Sequence, residues 1–184
     1  PTLATDVGEL QERITSTNLG SHIRDHQAVY LDDSLNFGQK WDFGFSLRWD
    51  NFSDYNNVCT GSASARYKLT QEAAFNLGIS RNLRLPSFTE LYYSDSTTIG
   101  NLDLTVEKTW NYQAGLEYKQ EGFFLNMALF LRHERGMIDW VRSNSSQLWQ
   151  AKNFTLDNVF GFECSLKKEI NKVLSLNTNY TYDK

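Results

Sequence analysis

Tyr55, Tyr92, Tyr93 and Trp149 lie in or beside polar stretches that separate apolar runs, and Asp95 follows the middle pair closely. Aromatics so placed can stack on a bulky ligand while a polar rim orients it. Each can equally pack its own loop or anchor at an interface. Other chemistry is thinly supplied. The chain has three histidines, His22, His26 and His133. His22 and His26 would form a metal pair on a helix, but the pattern around them enters a strand, so no metal site is expected. No Gly-x-Ser-x-Gly elbow occurs, and no phosphate-binding glycine loop. Cys59 and Cys164 lie far apart in strand patterns and read as small apolar fillers rather than a disulfide. No catalytic residue and no cofactor are assigned.

The charged residues alternate in sign. Asp42, Asp50, Glu72, Glu117 and Glu163 are interspersed with Arg48, Arg66, Lys68, Lys119 and Arg132. Mixed charge of this kind suits a solvated wall better than a catalytic dyad. The net charge of −4 is mild, and no basic stripe is present, so nucleic acid is not an expected partner.

These residues must be positioned by strands. Trp41, Phe43, Phe45, Leu47 and Trp49 alternate with Asp42, Gly44, Ser46, Arg48 and Asp50. Period two over ten residues is the signature of a strand with one apolar face. The same pattern recurs at 62–69, 72–80, 110–119, 160–167 and 174–182. Residues 122–135 keep it with Phe124 and Phe130 on the wrong face, and 25–37 keep it with Asp33 intruding. An opening strand near 7–16 completes about nine, with no long helix. The expected fold is all-β, an antiparallel meander.

The connections alternate in length. Short turns are expected at 37–40, 69–72, 119–122 and 170–173, and longer ones at 16–24, 51–57, 83–106 and 142–156. Outer-membrane barrels show this asymmetry, with tight periplasmic turns and long extracellular loops. Trp41 and Trp49, and likewise Trp110 and Tyr118, sit eight residues apart on one face. At about 3.3 Å per residue and about 40° of tilt that is roughly 20 Å along the membrane normal, close to an apolar band flanked by aromatic girdles. Aromatics make up 14% of the chain, and mean hydropathy is negative, so spanning helices are not expected but spanning strands are.

One stretch narrows the reading further. Arg84, Pro86, Glu90, Leu91 and Tyr92 precede Gly100, Asn101, Asp103, Leu104 and Glu107. This series resembles the barrel of TonB-dependent outer-membrane receptors, which carry a basic residue, a proline, Glu-Leu-Tyr and then a Gly-Asn-Pro-x-Leu-x-Pro-Glu block. Leu102 and Val106 depart from it, since both positions are usually proline. Trp149, Ala151 and Asn153 before Gly161-Phe162-Glu163 are similar to a second family stretch, and Arg135 to Asp139 to a rising strand.

The resemblance implies a 22-stranded transmembrane β-barrel around a plug domain. Nine strands cannot close it, so residues 1–184 are expected to be a single internal segment from the C-terminal half of the barrel, with the plug absent from this chain. It implies an active-transport receptor in the outer membrane of a Gram-negative bacterium, and no enzyme. Its partners would be the lipid bilayer, TonB acting through the plug, and a scarce nutrient complex. Residues 17–26 look somewhat like cobalamin receptors, which puts cobalamin ahead of a ferric siderophore. Two alternatives are a membrane-barrel enzyme, which would need a His beside Asp or Ser at the rim, and a soluble β-sandwich binding module. The expected ligand contacts are Tyr55, Tyr92, Tyr93, Asp95 and Trp149.

Overall fold

The computed structural model describes residues 2–154 and 157–184. Thr155 and Leu156, at the end of the expected loop 142–156, lie outside the described residues. Along the chain run β1 (Thr2–Ser16), β2 (Gly20–Phe37), β3 (Trp41–Phe52), β4 (Val58–Lys68) and β5 (Ala73–Arg84). A short helix α1 (Phe88–Tyr92) and β6 (Thr98–Ile99) follow. Then come β7 (Glu107–Gln120), β8 (Phe123–Arg135), β9 (Met137–Val141), β10 (Trp149–Phe154), β11 (Asp157–Glu169) and β12 (Ser175–Asp183).

Nine of these strands make one sheet in the order β1-β2-β3-β4-β5-β7-β8-β11-β12, each antiparallel to its neighbour. The meander expected from the alternating pattern is the fold of the chain. The internal proline, Pro86, falls just after β5 ends, so it removes no N–H from the ladder. A second sheet, β6-β10-β9, departs from the all-antiparallel expectation, because β10 runs parallel to β6.

The four turns expected to be short lie at one end of the sheet. At the other end the 16–24 connection proves shorter than expected. Strands β1 and β2 continue to Ser16 and from Gly20, so residues 17–19 alone turn the chain. Gly20 takes the left-handed φ of 79° that this turn requires. The other three long connections share this end. Those at 83–106 and 142–156 are not bare loops, since the first carries α1 with β6 and the second carries β10, which pairs back on β9 just before it.

Register fixes the two faces. Trp49 pairs with Val29, Phe45 with Ala63, Ala65 with Leu77, and Ile79 with Tyr112. Tyr112 then meets Leu131, which meets Phe160. Phe45, Leu77, Leu129 and Phe160 are exposed to solvent on this face. Trp41 and Tyr118 stand toward the short-turn end, and Trp49 and Trp110 toward the long-loop end, which makes two aromatic levels. Strand β3 has 12 residues, which at about 3.3 Å each and about 40° of tilt covers roughly 30 Å, the thickness of a bilayer core.

The opposite face is ionic. Arg66 donates to Glu117 at 3.0 and 2.7 Å, Lys68 to Asp42 at 3.0 Å, and Arg48 to Asp50 at 2.9 Å. His26 Nε2 lies 2.5 Å from Asp50, and the Ser46 and Ser62 hydroxyls meet at 2.8 Å. Glu72 belongs to the turn between β4 and β5 rather than to this wall, and accepts from the Thr70 hydroxyl. Phe130, which breaks the sequence alternation, sits opposite Gly161. Its ring fills the space a Cβ at Gly161 would occupy, so the glycine accommodates an aromatic on a polar face.

Among the described residues the buried apolar side chains within the sheet are only Ala28, Ala74 and Ala128. The larger ones, Leu91, Leu104 and Ile138, lie in the long-loop layer. A sheet with its large apolar residues outside and its charges inside reverses the order of a water-soluble domain.

The face assignment makes a prediction. Phe45→Arg, on the apolar face, should cost about 2–4 kcal/mol in folding from denaturant into liposomes. Ser46→Arg, one residue away on the ionic face, should cost far less. Equal losses for the two would refute the assignment.

Candidate functional site

The long-loop layer is held by a cluster around Arg84. Arg84 is the last residue of β5, and its register partner Glu107 is the first of β7. The guanidinium donates to Glu107 at 2.8 and 2.5 Å and to Glu90 at 3.1 Å through two nitrogens. The whole 85–106 excursion therefore leaves and re-enters the sheet at one planar cation between two carboxylates, the geometry for which arginine is suited. Glu90 also closes a capping box, accepting from the Ser87 N–H at 2.7 Å while the Ser87 hydroxyl accepts from the Glu90 N–H at 3.2 Å. Glu107 accepts the Ile138 N–H at 2.6 Å, which ties in β9.

Burial pushes the Glu90 carboxyl up, but Arg84 and the Ser87 N–H and hydroxyl outweigh it, and its pKa ends below the ordinary glutamate value.

Gly100 follows at a tight approach. A Cβ there would lie 2.5 Å from the Leu91 carbonyl oxygen, and the Gly100 N–H donates to Tyr93 O at 2.6 Å. Asn101 donates to Ala151 O at 3.0 Å. Asn153 accepts the Thr105 N–H at 2.8 Å and donates to the Thr105 and Gly136 carbonyls at 3.0 and 2.6 Å. The two asparagines thus stitch 85–106 to 136–154. Beneath them Leu91, Leu104, Ile138 and Ala151 form a small core with Tyr55, Tyr92 and Trp140 packed against it. Leu102, where a proline is usual, is exposed and lies outside this core.

A second anchor escaped the sequence reading. Arg24, buried to 5% exposure, donates to both Asp54 oxygens at 2.9 and 2.8 Å and to Pro86 O at 3.1 Å. Its guanidinium carbon lies 4.9 Å from the Phe88 ring centre and 5.5 Å from that of Tyr55. His22 stacks on Tyr92 with centroids 3.5 Å apart and planes 10° from parallel. The one available signal was that His22, Arg24 and His26 share a parity, which puts three basic side chains on one face of β2.

The five expected contacts all lie in this layer. Tyr55 is half-buried beside Arg24, and its hydroxyl reaches Leu104 O at 3.4 Å; burial pushes its phenol pKa up. Tyr92 is held by His22 and the core. Tyr93 donates to Asp95 at 3.0 Å and accepts from Asn18 at 3.3 Å. Asp95 accepts the Thr97 N–H and hydroxyl at 2.7 and 2.9 Å and the Thr98 N–H at 2.7 Å, and these bonds hold its carboxyl below the usual range. Trp149 is 38% exposed, with the Arg142 guanidinium 4.8 Å from its ring centre. The β6–β10 pairing sets Trp149 against Thr98, which brings the tips of the two loops together. Tyr55 and Tyr92 are thus packing aromatics, whereas Tyr93, Asp95 and Trp149 reach the surface. Among the described residues no group of three or more His, Cys, Asp or Glu is placed to hold a metal.

Residues 4–184 match the model of the family described as TonB dependent receptor-like, beta-barrel. The chain belongs to that family. A TonB-dependent receptor fold also accounts for the relatives found. The vitamin B12 transporter BtuB of Photobacterium profundum is 26% identical over 152 residues, which is 81% of this chain and 24% of the relative. The siderophore receptor PirA of Pseudomonas aeruginosa superposes with a TM-score of 0.89 at 22% identity, over 99% of this chain and 36% of that one. The FrpB iron transporter of Neisseria meningitidis gives 0.74 at 13%, over 99% and 32%. The chain thus spans about a quarter of the curated relative's length. These relatives are transporters and receptors, not enzymes.

The motif residues of the receptor family are therefore loop anchors in this chain, and Glu90 makes that anchoring sensitive to acid. Because the Glu90 pKa is lowered by folding, its contribution is complete above the ordinary glutamate pKa of about 4.3 and is lost as pH falls through the folded value. The protection factors of the amides in 87–101, taken relative to the intrinsic exchange rate at each pH, should fall on acidification below about pH 4. E90Q should show low protection already at pH 7 and a flatter dependence of protection on pH. High protection that does not change with pH in either protein would show that the cluster does not hold the loop.

Proposed function

We propose that this chain forms part of the barrel wall of an outer-membrane active-transport receptor. Its loops would capture a scarce nutrient complex at the cell surface. The observation that carries the reading is the inverted sheet: large apolar side chains outside, ion pairs inside, and the larger buried apolar residues gathered in a loop layer at one end. That arrangement suits strands crossing lipid with ordered loops on one side. Residues 1–184 are read as one segment of a 22-stranded barrel, with the plug and the TonB contact supplied elsewhere in the receptor. Import would use rearrangement of the plug inside a rigid barrel, with TonB supplying energy from the inner membrane.

The cargo is read as cobalamin ahead of a ferric siderophore. Support comes from the sequence likeness to a vitamin B12 transporter, which covers 81% of the chain. Trp149 and Tyr93, with Asp95 holding the Tyr93 hydroxyl, are proposed as direct contacts. Tyr92 and Tyr55 would shape the surface from beneath.

The experiment is direct binding and uptake by the full-length receptor, in cells with and without TonB, for cobalamin and for ferric siderophores. Uptake should need TonB. Trp149→Ala or Tyr93→Ala at a true contact should weaken binding by about 1–3 kcal/mol while the barrel still folds. Tyr92→Ala should act through loop order, weakening binding and accelerating hydrogen exchange in 87–101 together. Unchanged affinity and uptake in all three folded variants would place the ligand site elsewhere.

A further inference from the structure

The apolar face carries a charged feature that the transport reading does not use. At the long-loop end of the sheet, register stacks the outward side chains in rows. The top row is Leu83, Lys108 and Arg135 across β5, β7 and β8. The next is Arg81, Trp110, His133 and Asn158 across β5, β7, β8 and β11. The third is Ile79, Tyr112, Leu131 and Phe160, and the fourth includes Leu77, Ala114 and Leu129.

Three permanent cations, Arg81, Lys108 and Arg135, thus crowd two adjacent rows. Lys108 and Arg135 are directly paired, where side chains stand about 5 Å apart at Cβ and like charges destabilise the pair. Arg81 is diagonal to Lys108, within reach of long side chains. Among the described residues none of the three has a carboxylate within ion-pair distance. Arg135 Nε instead donates to His133 Nε2 at 3.1 Å, and His133 Nδ1 meets Asn158 Oδ1 at 2.6 Å. On the inner wall, by contrast, Arg48, Arg66 and Lys68 each have an acidic partner.

Directly below lies a shallow apolar hollow of about 620 Å³. It forms where Ala63, Ala65 and Ala114 leave space between Phe45, Tyr112 and Phe160. Its upper edge is the row immediately under Arg81 and His133. Cations at a lipid interface above an apolar groove fit a molecule with an anionic head and acyl tails.

We propose that this part of the outer face binds a phosphate-bearing glycolipid of the outer leaflet. Its phosphates would sit among Arg81, Lys108 and Arg135, and an acyl chain would lie in the hollow over Ala114. The bound anion relieves the Lys108–Arg135 repulsion, which no carboxylate offsets among the described residues. The inference rests on the outer-membrane reading, but not on the identity of the imported cargo.

The test uses the full-length receptor, folded into detergent micelles, with native mass spectrometry. The probes are diphosphoryl lipid A, the same lipid with its phosphates removed, zwitterionic phosphatidylethanolamine, and inorganic phosphate. A heat-modifiable shift on electrophoresis reports barrel folding separately, so failure of the membrane reading shows there and not in lipid retention. Wild type should retain diphosphoryl lipid A in preference to the other three probes. K108Q, R135Q and R81Q should each weaken retention roughly fivefold, and the triple variant on the order of a hundredfold, since each interfacial cation is worth about a factor of five. Ala114→Phe, which fills the hollow and leaves the charges in place, should reduce retention of the acylated probe. Equal retention of phosphorylated and dephosphorylated lipid, or no loss in folded charge variants, overturns the proposal. Free phosphate competing as well as the lipid would reduce the site to an anion patch and overturn the lipid assignment.

Discussion

Side chains alternate strictly across a pleated strand, so register decides everything else in this sheet. A slip of one residue between β3 and β4 would carry Trp49 and Phe45 to the face of Arg66 and Glu117. It would also put Asp42 and Arg48 among the apolar side chains of the other face. Both faces therefore vote for the same register, the outer by apolar matching and the inner by ion pairs within and between strands. Arg66 on β4 reaching Glu117 on β7 spans the intervening β5, which locks three strands with one contact.

The meander was legible in the sequence because period two persists over whole strands and prolines stay out of them. The loop layer was less so. Residues 83–106 and 142–156 contain no run long enough to show a period, and α1 spans only Phe88–Tyr92. Helix and strand there form because Arg84, Asn101 and Asn153 make contacts with residues far along the chain, which spacing does not reveal. Arg24 was hidden for the same reason. Its partners Asp54, Pro86, Phe88 and Tyr55 come from other segments.

The candidate site shows the converse problem. Residue type pointed to aromatics at the loop end but did not separate those packed within the layer from those nearer the surface. Tyr92 and Tyr93 are adjacent and chemically alike, yet one stacks on His22 against the core and the other holds a hydroxyl network at the surface. That difference follows from the helical turn of α1, on which neighbouring side chains diverge by about 100°. The motif residues Arg84, Glu90, Asn101 and Glu107 are likewise structural, so the recognisable pattern marks how the loop is tied and not what it binds.

The joining of the two long loops has a mechanical consequence. With β6 laid along β10, Asn101 on Ala151 O and Asn153 across Thr105 and Gly136, the segments behave as one plate clamped at the sheet rim. A molecule landing on a plate of this kind does not have to freeze two flexible strings, so less of its contact energy is consumed by chain ordering. Held at Arg84 and Arg24, such a plate passes a load on one loop tip to the other.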